Sequence, residues 1–256
     1  MPKQNVYHLQ ATADQIGQYV LLSGDPERVL TISAHFDSAR EVSASRGFLI
    51  HTGTLEGVRV SAACTGIGGP SASLVIEELI ALGAHTLLRV GTCGSLQPYV
   101  KASDIVISVA SIRDEGTTRQ YVPVEFPAVA SFEIVCELVA AARNTSGTCH
   151  IGITHCKDSF YSEYPECTSN PTKTRNRWAT WSRANALATE MEAAALFVLG
   201  ALRGCRTGTV LSVVGSVLDE NLISDQSAVP RAIVVAIEAI RRVITADGLK
   251  RGTIDK

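Results

Sequence analysis

The sequence lacks the short motifs that mark several common kinds of functional site. Its seven cysteines include no C-x-x-C pair, and its six histidines show neither metal-ligand spacing nor an H-E-x-x-H motif. A zinc site or a disulfide framework is therefore not expected. No G-x-S-x-G elbow is present to indicate a serine nucleophile. The chemistry that remains is the positioning of ligands, without a metal and without a covalent intermediate.

Strong net charge and long apolar runs are also missing. The 256 residues carry a net charge of −2, so no overall basic field attracts nucleic acid. Residues 1–5 are polar, and no apolar run of signal-peptide or membrane-span length follows. We therefore expect a cytoplasmic protein with free thiols that binds neither nucleic acid nor membrane.

What the sequence does contain is an alternation of strand-like and helix-like stretches, typical of a sheet covered by helices. The turn Glu56-Gly57 joins two strands as a hairpin, which makes the sheet mixed. No internal repeat or linker is visible, so we predict one α/β domain over residues 1–256, with a central mixed β-sheet flanked by helices. Residues 157–176 lack a clear period and are predicted to form a long functional loop. The predicted strands are 19–23, 48–54, 58–64, 86–90, 105–110, 151–156 and 209–214, and the predicted helices are 26–36, 70–82, 132–143, 188–202 and 229–244.

The first candidate site is the strand-to-helix turn at residues 24–28, which reads Gly-Asp-Pro-Glu-Arg. Gly24 allows the backbone to approach an anion, and the following helix start presents free N–H groups. Arg28 adds a forked cation that matches phosphate oxygens. An ordinary turn followed by a surface arginine is the alternative interpretation.

A second glycine-rich turn, at residues 65–71, could cradle a phosphate or let the backbone approach a sugar. It resembles a dinucleotide fingerprint only poorly, because Ser71 stands where the third glycine is needed. The next strand also ends without the acidic residue that would hold a ribose hydroxyl. A dinucleotide site is therefore disfavoured.

Arg89 lies within an apolar strand, where an unpaired charge is very unfavourable. Its partner is either a core acid such as Glu77 or Glu78, or a bound anion. In the second case, Thr92 and Gly94 would supply further donors just beyond it.

Glu190 and Glu192 open the apolar stretch at residues 188–202. Acidic side chains suit a helix start, so capping is one interpretation. Alternatively, one carboxylate could accept hydrogen bonds from sugar hydroxyls while the other pairs with a buried arginine.

Taken together, these motifs resemble those of the nucleoside phosphorylase family, and its uridine phosphorylase branch most closely. The resemblance covers nearly the whole chain, and the ordered combination is far more specific than any one motif. The matching segments are residues 7–9, 23–28, 45–46, 65–71, 88–94, 125–130, 158–161 and 190–194.

The resemblance implies phosphorolysis of a nucleoside, with inorganic phosphate as co-substrate and no cofactor. It implies a dimer or a hexamer of three dimers with shared active sites. Arg28, Arg89 and Glu192 are the implied catalytic residues. The residues implied to bind phosphate are Gly24, Arg28, Arg89 and Thr92, with Arg46 supplied by a neighbouring subunit. The residues implied to bind ribose are Thr92, Met191, Glu192 and a neighbour's His8. The residues implied to bind the base are Gly94, Phe160, Glu163 and Ser216.

The base pocket departs from the family pattern. Glu163 stands where the uridine branch has a glutamine, and no arginine equivalent follows. The aspartate that purine phosphorylases place near Ser216 is missing, since Asp219 is out of register. Some relatives use a glutamate in a potassium site, and Gly47 stands at that position here. We therefore expect uridine as the substrate, with a purine or broad-specificity phosphorylase as the alternative. A water-dependent nucleosidase and a non-catalytic nucleoside-binding protein are the remaining readings.

Overall fold

The computed structural model describes residues 6–217 and 224–254, with side chains up to residue 249. The strands are β1 (Tyr19–Ser23), β2 (Asp37–Ser43), β3 (Ile50–Leu55), β4 (Val58–Cys64), β5 (Thr86–Ser95), β6 (Ile105–Asp114), β7 (Ala128–Val129), β8 (Cys149–Lys157), β9 (Ala188–Glu190) and β10 (Arg206–Ser216). The helices are α1 (Pro26–Ser33), α2 (Gly69–Ala81), α3 (Phe132–Ala142), α4 (Pro171–Arg183), α5 (Ala193–Arg203) and α6 (Val229–Ile254).

The described strands form one mixed sheet in the order β10-β6-β8-β9-β5-β1-β4-β3-β2, with β7 beside β6. Because β10 also pairs with β5, the strands β5, β10, β6, β8 and β9 close into a ring. The remaining strands extend from β5, with β1 parallel to both β4 and β5 and with β2, β3 and β4 antiparallel. This arrangement confirms the predicted mixed sheet flanked by helices.

Helices cover both faces of the sheet. Val29 of α1, Ile134 of α3 and Ile237 of α6 belong to one buried apolar cluster, and Val75 of α2 and Leu196 of α5 belong to a second. No helix in the described part of the chain is long and apolar enough to cross a lipid bilayer. Burial of apolar surface on both faces is the main force that holds the sheet, and it fixes the strand ends on which the candidate site is built.

Several predicted boundaries were wrong. Strands β5 and β6 run past their predicted ends at Val90 and Ala110, because β10 and β8 pair with their outer halves. Strand β2 was missed, and the predicted loop at residues 157–176 contains two 3₁₀ turns and the start of α4. Helix α4 is polar and buries only Trp178, so it lacks the apolar period that identifies a helix from sequence.

The largest difference concerns residues 188–192, which were predicted to begin a helix. Residues 188–190 instead form β9, which pairs with β5 on one side and β8 on the other. An apolar run does not by itself distinguish a buried strand from a helix. The short strand places Thr189 between Gly94 of β5 and His155 of β8.

Candidate active site

A cleft of about 340 Å³ lies beside the ends of β1, β8 and β9 and the outer half of β5. Most of the residues predicted from the sequence line this one cleft, although they are spread over the chain. They are Gly24, Arg28, Arg89, Thr92, Gly94, Phe160, Glu163, Met191 and Glu192.

Two buried guanidinium groups form one end of the cleft. Arg28 lies in the first turn of α1 and is 8% exposed, and Arg89 lies in β5 and is 5% exposed. Within the described residues, Nε of Arg28 and Nε and Nη1 of Arg89 have no hydrogen-bond partner. Burial and then the charge of Arg89 lower the pKa of Arg28. Adjacent buried cations with unpaired donors are unfavourable unless an anion binds between them.

Glu192 supplies the counter-charge within the protein. Its Oε2 pairs with Nη2 of Arg89, and its Oε1 accepts the N–H of Gly68 at 2.5 Å. Gly68 has a φ of +91°, in the region that favours glycine. Burial alone would lower the pKa of Arg89, but the charges of Glu192 and Glu190 raise it. The carboxylate therefore joins the glycine turn before α2 to the arginine of β5.

The core acids considered as partners for Arg89 have other partners. Glu77 pairs with Arg203, and the carboxylate of Glu78 accepts the backbone N–H groups of His8 and Leu9. The alternative of a bond from Arg89 to Glu77 or Glu78 was therefore wrong, because both carboxylates are engaged by other groups.

Glu190 and Glu192 divide the roles that the sequence left open. Oε2 of Glu190 accepts the N–H groups of Glu192 and Ala193, both at 2.8 Å, and so caps the start of α5. Burial raises the pKa of Glu190 despite the nearby charge of Arg89. Glu190 is thus the capping residue, while Glu192 pairs with the buried arginine.

Gly91 makes room for the side chain of Arg89. A Cβ at Gly91 would lie 1.4 Å from Nη1 of Arg89 and 2.8 Å from Cδ2 of Leu211. The guanidinium therefore crosses the backbone where any larger residue would displace it. From the sequence, Gly91 was placed at the end of a strand and within the matching segment at residues 88–94, with no role of its own.

A different charged pair forms the other end of the cleft. Nζ of Lys157 lies 2.6 Å from Oε1 of Glu163, and both side chains are 5% exposed. The same ammonium donates to Oγ1 of Thr189 at 3.1 Å and lies 5.9 Å from the ring centroid of Trp178. Phe160, which is 45% exposed, lines the cleft beside them.

Lys157 is the main functional candidate that the sequence reasoning missed. It was assigned to the loop at residues 157–176, but it is the last residue of β8. A lysine directly after an apolar strand was the available signal, because ligands of α/β sheets bind at the carboxyl ends of strands. Ser224 and Gln226 also line the cleft, and no sequence pattern pointed to them.

Three of the predicted residues, Ser216, His8 and Arg46, do not line this chain's own cleft. Val214 lines the cleft where Ser216 was expected. Asp219 lies outside the described residues. Nδ1 of His8 is 2.6 Å from Oε1 of Glu78. The guanidinium of Arg46 lies 5.3 Å from the ring centroid of Tyr7. The resemblance assigned His8 and Arg46 to a neighbouring copy's site, and that assignment stays a prediction.

Metal-ligating side chains do not cluster in the described part of the chain: no group of three or more histidines, cysteines or acids could hold a metal ion there. All seven cysteines are free thiols. The charges that face the cleft are those of arginine, lysine and carboxylate groups, which suit an anion and a polar organic ligand.

Comparisons with known proteins agree with this chemistry. A sequence model of the phosphorylase superfamily matches residues 18–245. A uridine phosphorylase of Treponema pallidum is 43% identical over 94% of this chain and 95% of its own. A guanosine phosphorylase of Halorubrum lacusprofundi is 35% identical over 84% of this chain and 85% of its own.

The fold is also that of a solved relative. A crystal structure of uridine phosphorylase from Vibrio fischeri superposes with a TM-score of 0.84 at 27% identity, covering 93% of this chain and 97% of that one. Together with the family match over residues 18–245, this shows that the chain belongs to the phosphorylase superfamily.

Proposed function

We propose that this enzyme cleaves uridine with inorganic phosphate and releases uracil and ribose 1-phosphate. The observation that carries the proposal is the pair of buried guanidinium groups, Arg28 and Arg89, which line one cleft and keep N–H groups without a hydrogen-bond partner among the described residues. Inorganic phosphate is the small anion that such forked donors fit best. The reaction needs phosphate as co-substrate and no further cofactor.

The sugar would lie between the two charged ends. Met191 and Glu192 line this part of the cleft, and a carboxylate accepts hydrogen bonds from ribose hydroxyls. Arg28 and Arg89 would hold phosphate so that one oxygen forms a bond to C1′ as the bond from C1′ to the base nitrogen breaks. Positioning two reactants in this way can lower the barrier by about 7–11 kcal/mol.

The electron pair of the broken bond stays on the base, and Lys157 would stabilise it. The departing base becomes an anion whose charge spreads to its carbonyl oxygens. An ammonium group in a buried site stabilises charge that develops in the transition state. The 2.6 Å pairing of Lys157 with Glu163 also places a donor beside an acceptor, which complements a carbonyl next to a ring N–H.

That donor–acceptor pair supports uridine without excluding guanosine. Uracil presents a ring N–H between two carbonyls, and guanine presents one carbonyl beside a ring N–H. A purine phosphorylase therefore remains the second candidate, and the similarity to a protein named guanosine phosphorylase favours testing it. The relatives named uridine phosphorylase support uridine as the first choice.

Base release from uridine, thymidine, guanosine and inosine, with and without phosphate, tests the proposal. We expect uridine to be cleaved fastest, and cleavage to require phosphate. Guanosine turnover well above uridine turnover would reverse the substrate assignment. Undiminished cleavage without phosphate would identify a nucleosidase, and tight nucleoside binding without turnover of any substrate would identify a binding protein.

The proposal includes a shared active site in a dimer or a hexamer of three dimers. His8 and Arg46 lie outside the cleft of their own chain, and Tyr7 beside them is 71% exposed. Mixing the inactive variants Arg46→Ala and Arg89→Ala after dissociation tests this arrangement. Hybrid dimers would regain one intact site and part of the activity, whereas sites built from one chain alone would stay inactive.

We extend the proposal to nucleoside salvage in the cytoplasm. The seven free thiols suit a reducing compartment. Fractionation of cells that express the full chain, followed by assay of phosphate-dependent uridine cleavage, tests the location. Activity outside the cytoplasmic fraction would contradict it.

A further inference from the structure

A series of hydrogen bonds runs from the ammonium of Lys157 away from the cleft. Oγ1 of Thr189 lies 3.1 Å from Nζ of Lys157 and 2.9 Å from Nδ1 of His155. Nε2 of His155 lies 2.9 Å from Oδ2 of Asp114. Neighbouring strands supply the first three groups, because Thr189 and His155 are register partners of β9 and β8.

The hydrogens in this series can point in only one consistent direction. Burial, and then the charge of Lys157, lower the pKa of His155 to about 3, so the ring is neutral and has one donor and one acceptor nitrogen. The carboxylate of Asp114 requires the proton on Nε2, a tautomer that follows from the network. Nδ1 then accepts from the hydroxyl of Thr189, whose oxygen accepts from Lys157.

Helix α4 covers one side of this network, where Asp114, His155 and Lys157 line a second cavity of about 230 Å³. Arg177 pairs with Oδ1 of Asp114, which holds the carboxylate as an acceptor. The ring of Trp181 stacks on that of His155 at 5.5 Å, and Trp178 meets it edge-on at 5.1 Å. As a result, His155 is 1% exposed. The charged groups near the ring are Asp114 and Lys157, and Glu163 forms an ion pair with Lys157.

The geometry at Lys157 shows what this arrangement provides. An ammonium has three N–H donors, and among the described residues two point to Thr189 and Glu163. Lys157, Glu163 and Thr189 all line the cleft, so an ammonium held by these two partners has its remaining N–H beside the ligand space. A flexible lysine without these partners would lose side-chain entropy on binding each substrate.

We propose that Asp114, His155 and Thr189 are positioning residues that orient the Lys157 ammonium toward the departing base. The inference rests on the proposed function, since it assigns these residues to the leaving-group end of that reaction. Here the series of hydrogen bonds ends on the Lys157 ammonium, which would stabilise the negative charge that develops on the base.

The test compares Thr189→Val, which removes the hydroxyl, with Thr189→Ser, which keeps it, and adds His155→Phe. His155 does not line the cleft, so its replacement affects the cleft through its neighbours, and Thr189 is the neighbour that is hydrogen-bonded to Lys157. Each variant is assayed with uridine and with 5-fluorouridine, whose electron-poor base leaves more easily. Melting curves report whether each variant folds.

We expect Thr189→Val and His155→Phe to lower kcat for uridine by about 10- to 100-fold, as misplacement of a catalytic group does. Their loss with 5-fluorouridine should be several-fold smaller, KM for phosphate should not change, and Thr189→Ser should be close to the wild type. Equal losses with both substrates, or an unaffected His155→Phe, would overturn the positioning role. If the wild type itself did not cleave uridine with phosphate, the proposed function would fail instead.

Discussion

The two ends of the cleft hold their charges in different ways. At the end proposed to bind phosphate, Arg28 and Arg89 keep N–H groups without partners among the described residues, and one carboxylate, Glu192, pairs with Arg89. At the base end, Lys157 already has a carboxylate at 2.6 Å and a hydroxyl at 3.1 Å.

This difference indicates how each end contributes to catalysis. The phosphate end is electrostatically incomplete, so an anion should bind there mainly through charge. At the base end the Lys157 ammonium already has two partners, Glu163 and Thr189. The contribution of this end therefore depends on the direction in which the remaining N–H of Lys157 points. Substitutions at the first end should therefore change phosphate affinity, whereas substitutions at the second should change turnover and its dependence on the leaving group.

The largest effect is expected for Arg89→Ala. The variant loses a phosphate donor and leaves Glu192 buried without its cation, so kcat/KM for phosphate should fall by at least about 1,000-fold. Arg203→Ala, which removes a surface ion pair with Glu77, is the matched control and should keep full activity. The measurement is steady-state kinetics with phosphate as the varied substrate. An unchanged kcat/KM for phosphate in Arg89→Ala would contradict the account.

The next largest effect is expected for Lys157→Met. Without the ammonium, kcat for uridine should fall about 100-fold, because the negative charge of the base loses its stabilising group. KM for phosphate should stay within about twofold, which separates this end of the cleft from the arginine end. Lys173→Met, an exposed position on α4, is the control; a parallel rise in KM for phosphate would erase the distinction between the two ends.

A smaller effect is expected for Gly91→Ala. The new methyl group would occupy the space of Nη1 of Arg89, so the guanidinium must move while its charge remains. We expect KM for phosphate to rise about tenfold with a modest loss of kcat, in line with misplacement of a binding group. Gly248→Ala, where a Cβ meets nothing within 4 Å, should behave as the wild type. Equal phosphate KM values for the two variants would show that Arg89 does not use this space.

The last prediction concerns stability. The pKa of His155 is about 3 in the folded protein and about 6.5 in an unfolded chain, so protonation favours the unfolded state as the pH falls below about 6.5. Between pH 7 and pH 4 this residue should reduce the free energy of unfolding by roughly 3 kcal/mol. Denaturant unfolding of His155→Gln, which cannot titrate, should show a correspondingly weaker acid sensitivity; identical pH profiles would contradict a neutral buried ring.

The sequence was more informative about the phosphate end than about the base end, for a physical reason. The turn at residues 24–28 and the arginine of β5 lie in short motifs whose geometry follows from strand ends and glycine. Lys157 and His155 become neighbours of Thr189 only because β9 pairs with β5 and β8. That pairing was missed when residues 188–192 were interpreted as a helix.

The remaining differences have the same origin. Helix α4 carries Arg177, Trp178 and Trp181 to the buried network, yet its polar sequence gave no helical period. Arg89 was correctly expected to need a partner, but long-range contacts decide which acid is within reach. Buried charges in the sequence indicate that a site exists, whereas the hydrogen bonds and ion pairs within the site depend on the tertiary fold.

The most direct test of the central claim follows the fate of phosphate. With purified enzyme and uridine, we predict that each uracil released consumes one phosphate and yields one ribose 1-phosphate, as measured by chromatography of all three compounds. Release of uracil with free ribose and with the phosphate concentration unchanged would contradict the assignment of Arg28 and Arg89 to a reacting anion.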